Sequence, residues 1–252
     1  MIAALPMYDW PEIRAETAAY WAILRDGFRG AGIAAPDHLI DAPADPWPHW
    51  RDPALVLSQT CGLPYAARLV SDVSLIGAPA YDLQGLAPGT YCSEIVVRKS
   101  EGAAELKTLR GRKFAFNMRE SQSGFAAPAA LLGDPAAFFG EMVATGSHRA
   151  SILAVAEGRA DVAAIDAVTW QLALRHEPAA RLLGVVARTA PTPGLPYITA
   201  SRPEDDLSLM RLIIQTAIVT LPADIRAALL LRDLVRKHPS DYAPLAAGWP
   251  PG

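Results

Sequence analysis

Cysteine is scarce in this chain of 252 residues: only Cys61 and Cys92 are present. Two are too few for a disulfide framework, and free thiols are the expected state. No CxxC or Cys/His cluster stands at metal-ligand spacing, and histidine is limited to five residues, so no metal ligand set is visible. Basic charge is not in excess either. Lys plus Arg total 23 against 26 Asp plus Glu, a net charge of -3 with a pI near 6.0. Without a basic field there is nothing to hold nucleic acid or an anionic membrane surface. No apolar run approaches the roughly 20 residues that a membrane-spanning helix needs. GxxxxGK[ST], GxGxxG after a strand and GxSxG are all missing, which removes the phosphate-loop, dinucleotide and nucleophile-elbow readings and leaves no cofactor indicated. The opening MIAALPMYDW has no basic segment ahead of its apolar one, and Pro6 interrupts the latter. The expectation is a periplasmic location if the chain was trimmed at its start and a cytoplasmic one otherwise. Met1 running directly into strand residues favours an untrimmed start.

What is present is an ordinary globular composition, 51% hydrophobic and 19% charged, with 22 prolines and 18 glycines spread as punctuation. Short apolar strands are expected at 2–5, 54–58, 73–78, 91–98, 113–117, 141–145, 161–165, 182–188 and 197–200, with a weaker one at 38–41. Helical periodicity is expected at 12–29, 123–132, 147–157, 167–176, 206–220, 223–235 and 241–246. Strands alternating with helices predict an α/β chain with mainly parallel sheets covered by helices on both faces. In such sheets ligands gather beyond the carboxyl ends of strands, where loops lead into helices.

That rule picks out the loops richest in polar residues. In NMRESQSGF, Asn117 ends a strand and Ser121, Gln122, Ser123 and Gly124 open a helix. Free N–H groups, the positive end of the helix dipole and two hydroxyls suit an oxyanion, although plain capping uses the same residues. TGSHRAS adds Thr145, Ser147 and His148 at a second junction. DVAAID ends a buried strand in Asp166, which either caps the next helix or meets a ligand that carries a donor. SQTCGLPY contributes Gln59, Thr60 and Cys61, and Tyr8, Trp10 and Tyr65 either wall the site or fill the core.

These stretches, with IGAPAYDLQGLAPGTYCSEIVVRK, LRGRKFAFNMRESQSGF, GSHRASILAVAEGRADVAAIDAVTW and PGLPYITA, resemble the substrate-binding components of phosphate, phosphite and phosphonate ABC importers. The resemblance covers about residues 2–235. It implies the two-lobe type II periplasmic-binding-protein fold with two crossover strands. Lobe one would be 1–84 plus 193–252 and lobe two 85–192. A small oxyanion would lie in the cleft, held by Ser121, the Gln122 backbone, Ser123, His148 and Asp166, with Tyr8 contributing from the first loop. Gln122 stands where a small hydroxyl residue is common. The implied partners are the oxyanion and an ABC permease, with no catalytic residue and no direct membrane insertion. The alternative is an enzyme on the same scaffold using Cys61 as nucleophile and His148 as base; a ligand-free adaptor ranks last.

Overall fold

The computed structural model describes residues 1–102 and 105–250. Positions 103–104 and 251–252, which the expected lobes include, lie outside the described residues. The chain divides into two compact units, Met1–Thr90 with Pro193–Ala246, and Tyr91–Thr192 with the residues from Ala247 onward.

The first unit is built on a five-stranded sheet in the order Ile2–Ala3, Leu55–Gln59, Tyr197–Ala200, Val73–Tyr81, Leu231–Val235. Every residue of Leu55–Gln59 is buried, as expected of a strand covered on both faces. The helix Arg14–Gly30 lays Thr17, Tyr20, Trp21, Leu24 and Phe28 inward at the helical repeat. It stops where Gly32 takes a left-handed φ of 79°. Trp10, expected either at an opening or in the core, is buried. Tyr65 is fully buried, edge-on to Tyr242 at 5.1 Å. Both tyrosines belong to a cluster with Trp50, Leu55 and Ile198.

The second unit carries a five-stranded sheet in the order Glu141–Ala144, Lys113–Phe116, Val162–Asp166, Ser93–Arg98, Leu183–Arg188. Its core centres on Phe114, which stacks on Phe139 at 4.5 Å among Ile95, Val97, Val162 and Ala164. Arg98 ties this unit together from inside, donating to the Val155 carbonyl at 2.8 Å and to Asp161 at 2.8 Å.

Three expectations need correction. The sheets are mixed and not mainly parallel. Ile2–Ala3 runs parallel to its neighbour, as do Glu141–Ala144 and Val162–Asp166 to Lys113–Phe116. The pairings of Tyr197–Ala200, Leu231–Val235 and Ser93–Arg98 are antiparallel. Ser93–Arg98 and Tyr197–Ala200 are the strands by which the chain enters one unit and re-enters the other, and each runs against its sheet neighbours. Residues 38–41 are not a strand: between Pro36 and Pro43 only the Ile40 N–H reaches the sheet, donating to the Ala3 carbonyl at 2.9 Å. The helix expected over 223–235 ends at Ala228. Leu230 adopts φ 57°, which no helix tolerates, and Leu231–Val235 then pairs with the strand ending at Tyr81.

Truncating Phe114 to Ala should cost the second unit about 3–5 kcal/mol, because a fully buried ring leaves a cavity. The exposed Leu212→Ala change should stay within about 0.5 kcal/mol. Urea denaturation of both variants measures the contrast.

Candidate functional site

In the second unit the handover from the strand Lys113–Phe116 to the helix Ala127–Leu132 passes through one wide helical turn, Gln122–Ala126. The Ser121 carbonyl accepts from both Phe125 N–H, at 3.2 Å, and Ala126 N–H, at 3.0 Å, which widens the turn into a π-type one. Ser121 caps it: its Oγ accepts from Gly124 N–H at 3.0 Å. The Ser123 amide forms no backbone hydrogen bond among the described residues, as the second residue of a helix must. Ser121, Gln122, Ser123 and Gly124 are all buried.

A neighbouring strand and a neighbouring helix fix Ser123 on two sides. Its carbonyl accepts the Ser93 hydroxyl at 2.8 Å, and its own Oγ lies 2.9 Å from His148 Nε2. His148 arrives from the helix His148–Ala156, whose N-cap Ser147 accepts from Ala150 N–H. The loop before that helix is pinned to Asn117: Gly146 N–H donates to the Asn117 carbonyl at 3.0 Å, and Thr145 N–H to the Phe116 carbonyl at 2.8 Å. Asn117 Oδ1 is buried without a hydrogen-bond partner and rests on Gly124, where any Cβ would overlap it outright. A residue larger than glycine would have to push the Asn117 side chain aside. Asp166 is 2% exposed and accepts from Thr169 N–H at 2.9 Å, so it caps the helix Ala167–His176. Ser93 and Asp166 are directly opposed across the antiparallel pair, which sets their side chains on the same sheet face. The structure therefore brings Asn117, Ser121, Gln122, Ser123, Gly124, His148 and Asp166 into one neighbourhood.

His148 is electrically quiet. Burial pushes its pKa down to about 4, partly offset by the Ala164 carbonyl, while Nδ1 makes no hydrogen bond of normal geometry. The ring is neutral at pH 7.

The remaining expected residues belong to the first unit. Tyr8 meets Tyr81 edge-on at 5.1 Å, and Gln59 Nε2 donates to the Tyr81 hydroxyl at 3.2 Å and the Leu195 carbonyl at 3.3 Å. Tyr8, Gln59, Tyr81 and Tyr197 line a small recess. Thr60 is fully buried, its N–H bound to the Pro196 carbonyl at 3.2 Å. Cys61 precedes the short helix Gly62–Pro64, and its carbonyl accepts from Tyr65 N–H at 3.2 Å. Both cysteines are free of disulfides, and burial, with Glu94 nearby, raises the Cys92 pKa to about 11. No group of side chains suited to a metal ion occurs among the described residues, and no described helix is long and apolar enough to cross a membrane.

Ser93 and Tyr81 were not singled out from sequence. Ser93 looks like any polar residue opening an alternating strand, and only its register against Asp166 gives it a place. Tyr81 ends the run LIGAPAY, longer by three residues than the expected 73–78, and that extra length was the available signal.

Residues 60–240 match the family model for periplasmic phosphonate-binding proteins of ABC transporters, well over half of the chain. The chain belongs to that family. No curated protein matches it. Among solved structures it is similar to PhnD1 from Prochlorococcus marinus in complex with methylphosphonate, at 16% identity and a TM-score of 0.73, covering 98% of this chain and 95% of that one. It is also similar to XAC2383 from Xanthomonas citri bound to chloride ion, at 18% identity and a TM-score of 0.71 over 98% and 96% of the two chains. A third likeness is to the phosphonate-transporter binding protein PA3383 from Pseudomonas aeruginosa, at 18% identity and 0.70 over 98% and 84%. At these identities the likenesses establish the fold, which is the two-lobe α/β fold of type II periplasmic binding proteins, and the family assigns a solute-binding role.

His148 gives a pH signature. A histidine whose folded pKa lies below its unfolded value takes up a proton more readily when unfolded, so its neutral form supports the fold above the unfolded value near 6.5. That contribution is expected to fade as pH falls from about 6.5 toward 4. Chemical denaturation across this window should show stability dropping with acid, with a shallower drop in His148→Asn.

Proposed function

We propose that the protein captures a small oxyanion of the phosphonate or phosphate class at the turn 121–124 and delivers it to an ABC permease without chemically changing it. The observation that carries this reading is the turn itself: a wide helical start whose Ser123 amide has no backbone acceptor among the described residues, bracketed by the hydroxyls of Ser121 and Ser123 and closed behind by Asn117 and Gly124. Helix starts of this kind bind tetrahedral anions through N–H groups and dipole together. The seven expected residues of the second unit act as the anion seat. Family membership supports the import role, and the periplasm, where the family works, is the expected place of action. The methylphosphonate bound by the Prochlorococcus protein supports the ligand class.

A binding role also suits the state of His148. Its Nε2 is engaged with the Ser123 hydroxyl, and its ring is a poor base at a pKa near 4. The alternative of a Cys61 nucleophile activated by His148 lacks a base of suitable strength.

Calorimetric titration of the purified protein with phosphate, phosphite, methylphosphonate and 2-aminoethylphosphonate tests the proposal. At least one should bind and raise the thermal midpoint. Ser121→Ala and Ser123→Ala should each weaken that ligand by about 1–2 kcal/mol, roughly 5- to 30-fold. Gly124→Ala should weaken it further, because the new methyl displaces Asn117. Failure of every oxyanion to bind would remove the proposal.

A further inference from the structure

The first unit holds a cavity of about 320 Å³ that shares no residue with the anion seat. It lies between the helix Arg14–Gly30 and the segment 37–42, beside the edge strand Ile2–Ala3. Its volume is at the small end of ligand pockets, which run from roughly 300 to 1,000 Å³. Leu5 and Thr17 border both this cavity and the recess of Tyr8 and Gln59, and so form the partition between them.

The two long walls are fixed independently. On the helix, Arg14, Thr17, Ala18, Trp21 and Arg25 recur at steps of three and four and share one face. Opposite them, six consecutive residues, 37–42, border the cavity. That segment belongs to no helix or strand, yet it is tied down along its length. Arg25 donates to the Asp37 carbonyl at 3.2 Å and Arg29 to the Asp37 carboxylate at 2.9 Å. Further on, the Ile40 N–H donates to the Ala3 carbonyl at 2.9 Å.

The charges around the cavity cancel in pairs, with one carboxylate left over. Arg14 pairs with Asp9 at 3.2 Å, Arg25 with Asp26 at 2.8 Å and Arg29 with Asp37 at 2.9 Å. Hydrogen bonds from Arg25 and Arg29 hold Asp26 and Asp37 below the usual carboxylate range. Asp41 is exposed, and its carboxylate has no ion pair or hydrogen bond among the described residues. His38 is the remaining titratable residue of the lining. An unpaired carboxylate favours a cationic guest over an anionic one. On the helix wall Trp21 is 2% exposed, and its Nε1 has no acceptor among the described residues. A buried donor left unmade is costly, and an oxygen on a guest would relieve that cost. The indole ring, Ala22 and Leu39 give the lining its apolar surface.

These features ask for an ammonium to meet Asp41, an oxygen acceptor for the indole N–H and a compact apolar body. We propose that the cavity is a second binding site, for a small amphipathic amine that also carries an oxygen acceptor. The cavity does not depend on the turn 121–124, which belongs to the other unit.

Calorimetric titration at pH 8, above the ordinary histidine range, tests this with three probes. Phenylalaninol carries all three groups, 2-phenylethylamine lacks the oxygen, and 3-phenyl-1-propanol lacks the amine. Phenylalaninol should bind tighter than either of the others by roughly threefold or more. Asp41→Asn sits at an exposed position with no bond to lose, so it should fold; it should close the gap to the alcohol. Trp21→Phe keeps a ring and drops the donor, and should close the gap to the amine. Ala22→Phe fills the cavity from a half-buried helix position and should abolish binding of all three. The Trp21 indole N–H resonance, assigned as the one missing from Trp21→Phe, should shift when phenylalaninol is added. No binding of phenylalaninol, equal affinity for the three probes, or affinities unchanged in both Asp41→Asn and Ala22→Phe overturns the inference.

Discussion

Ser123 is held from two sides, by Ser93 at its carbonyl and by His148 at its hydroxyl, and this double restraint is what turns a helix start into a fixed set of donors. A lone capped turn has the same amides but no reason to keep them aimed. Here three segments distant in sequence converge on one residue, and each is anchored in a buried strand or helix of the same unit. Asn117 and Gly124 complete the restraint from behind through a contact so close that any larger residue at 124 would have to displace Asn117. The rigidity comes from the sheet, and the chemistry is carried by its loops.

The donors are all uncharged, and that has consequences. Backbone amides and hydroxyls bind an anion by geometry more than by net charge, so they discriminate by shape and by where protons sit. The lowered His148 pKa fits the same pattern, since burial keeps that imidazole uncharged as well.

Much of this was legible in the sequence, and the parts that were not have physical reasons. The turn at Ser121–Gly124 was readable because a strand period gives way there to small polar residues and then to an apolar helical run. Asp166 was readable as a carboxylate closing a buried strand, and the structure assigns it the capping role that was one of its two expected uses. Ser93 was not readable, because its importance lies in a cross-strand register that no local pattern encodes. The mixed strand directions were missed for a related reason: alternation of strands and helices says nothing about a strand that arrives from another unit. Leu231–Val235 reads as helix in the sequence because leucines at 229, 230, 231 and 234 satisfy a helical period; the left-handed φ at Leu230 is a tertiary outcome that breaks it.

The most direct measurement is amide chemical-shift mapping of the isotope-labelled protein on addition of methylphosphonate. If the turn is the anion seat, the amides of Ser123 and Gly124 move downfield and rank among the largest changes in the second unit, with the His148 ring following. If methylphosphonate binds yet those amides stay put while others shift, the seat lies elsewhere.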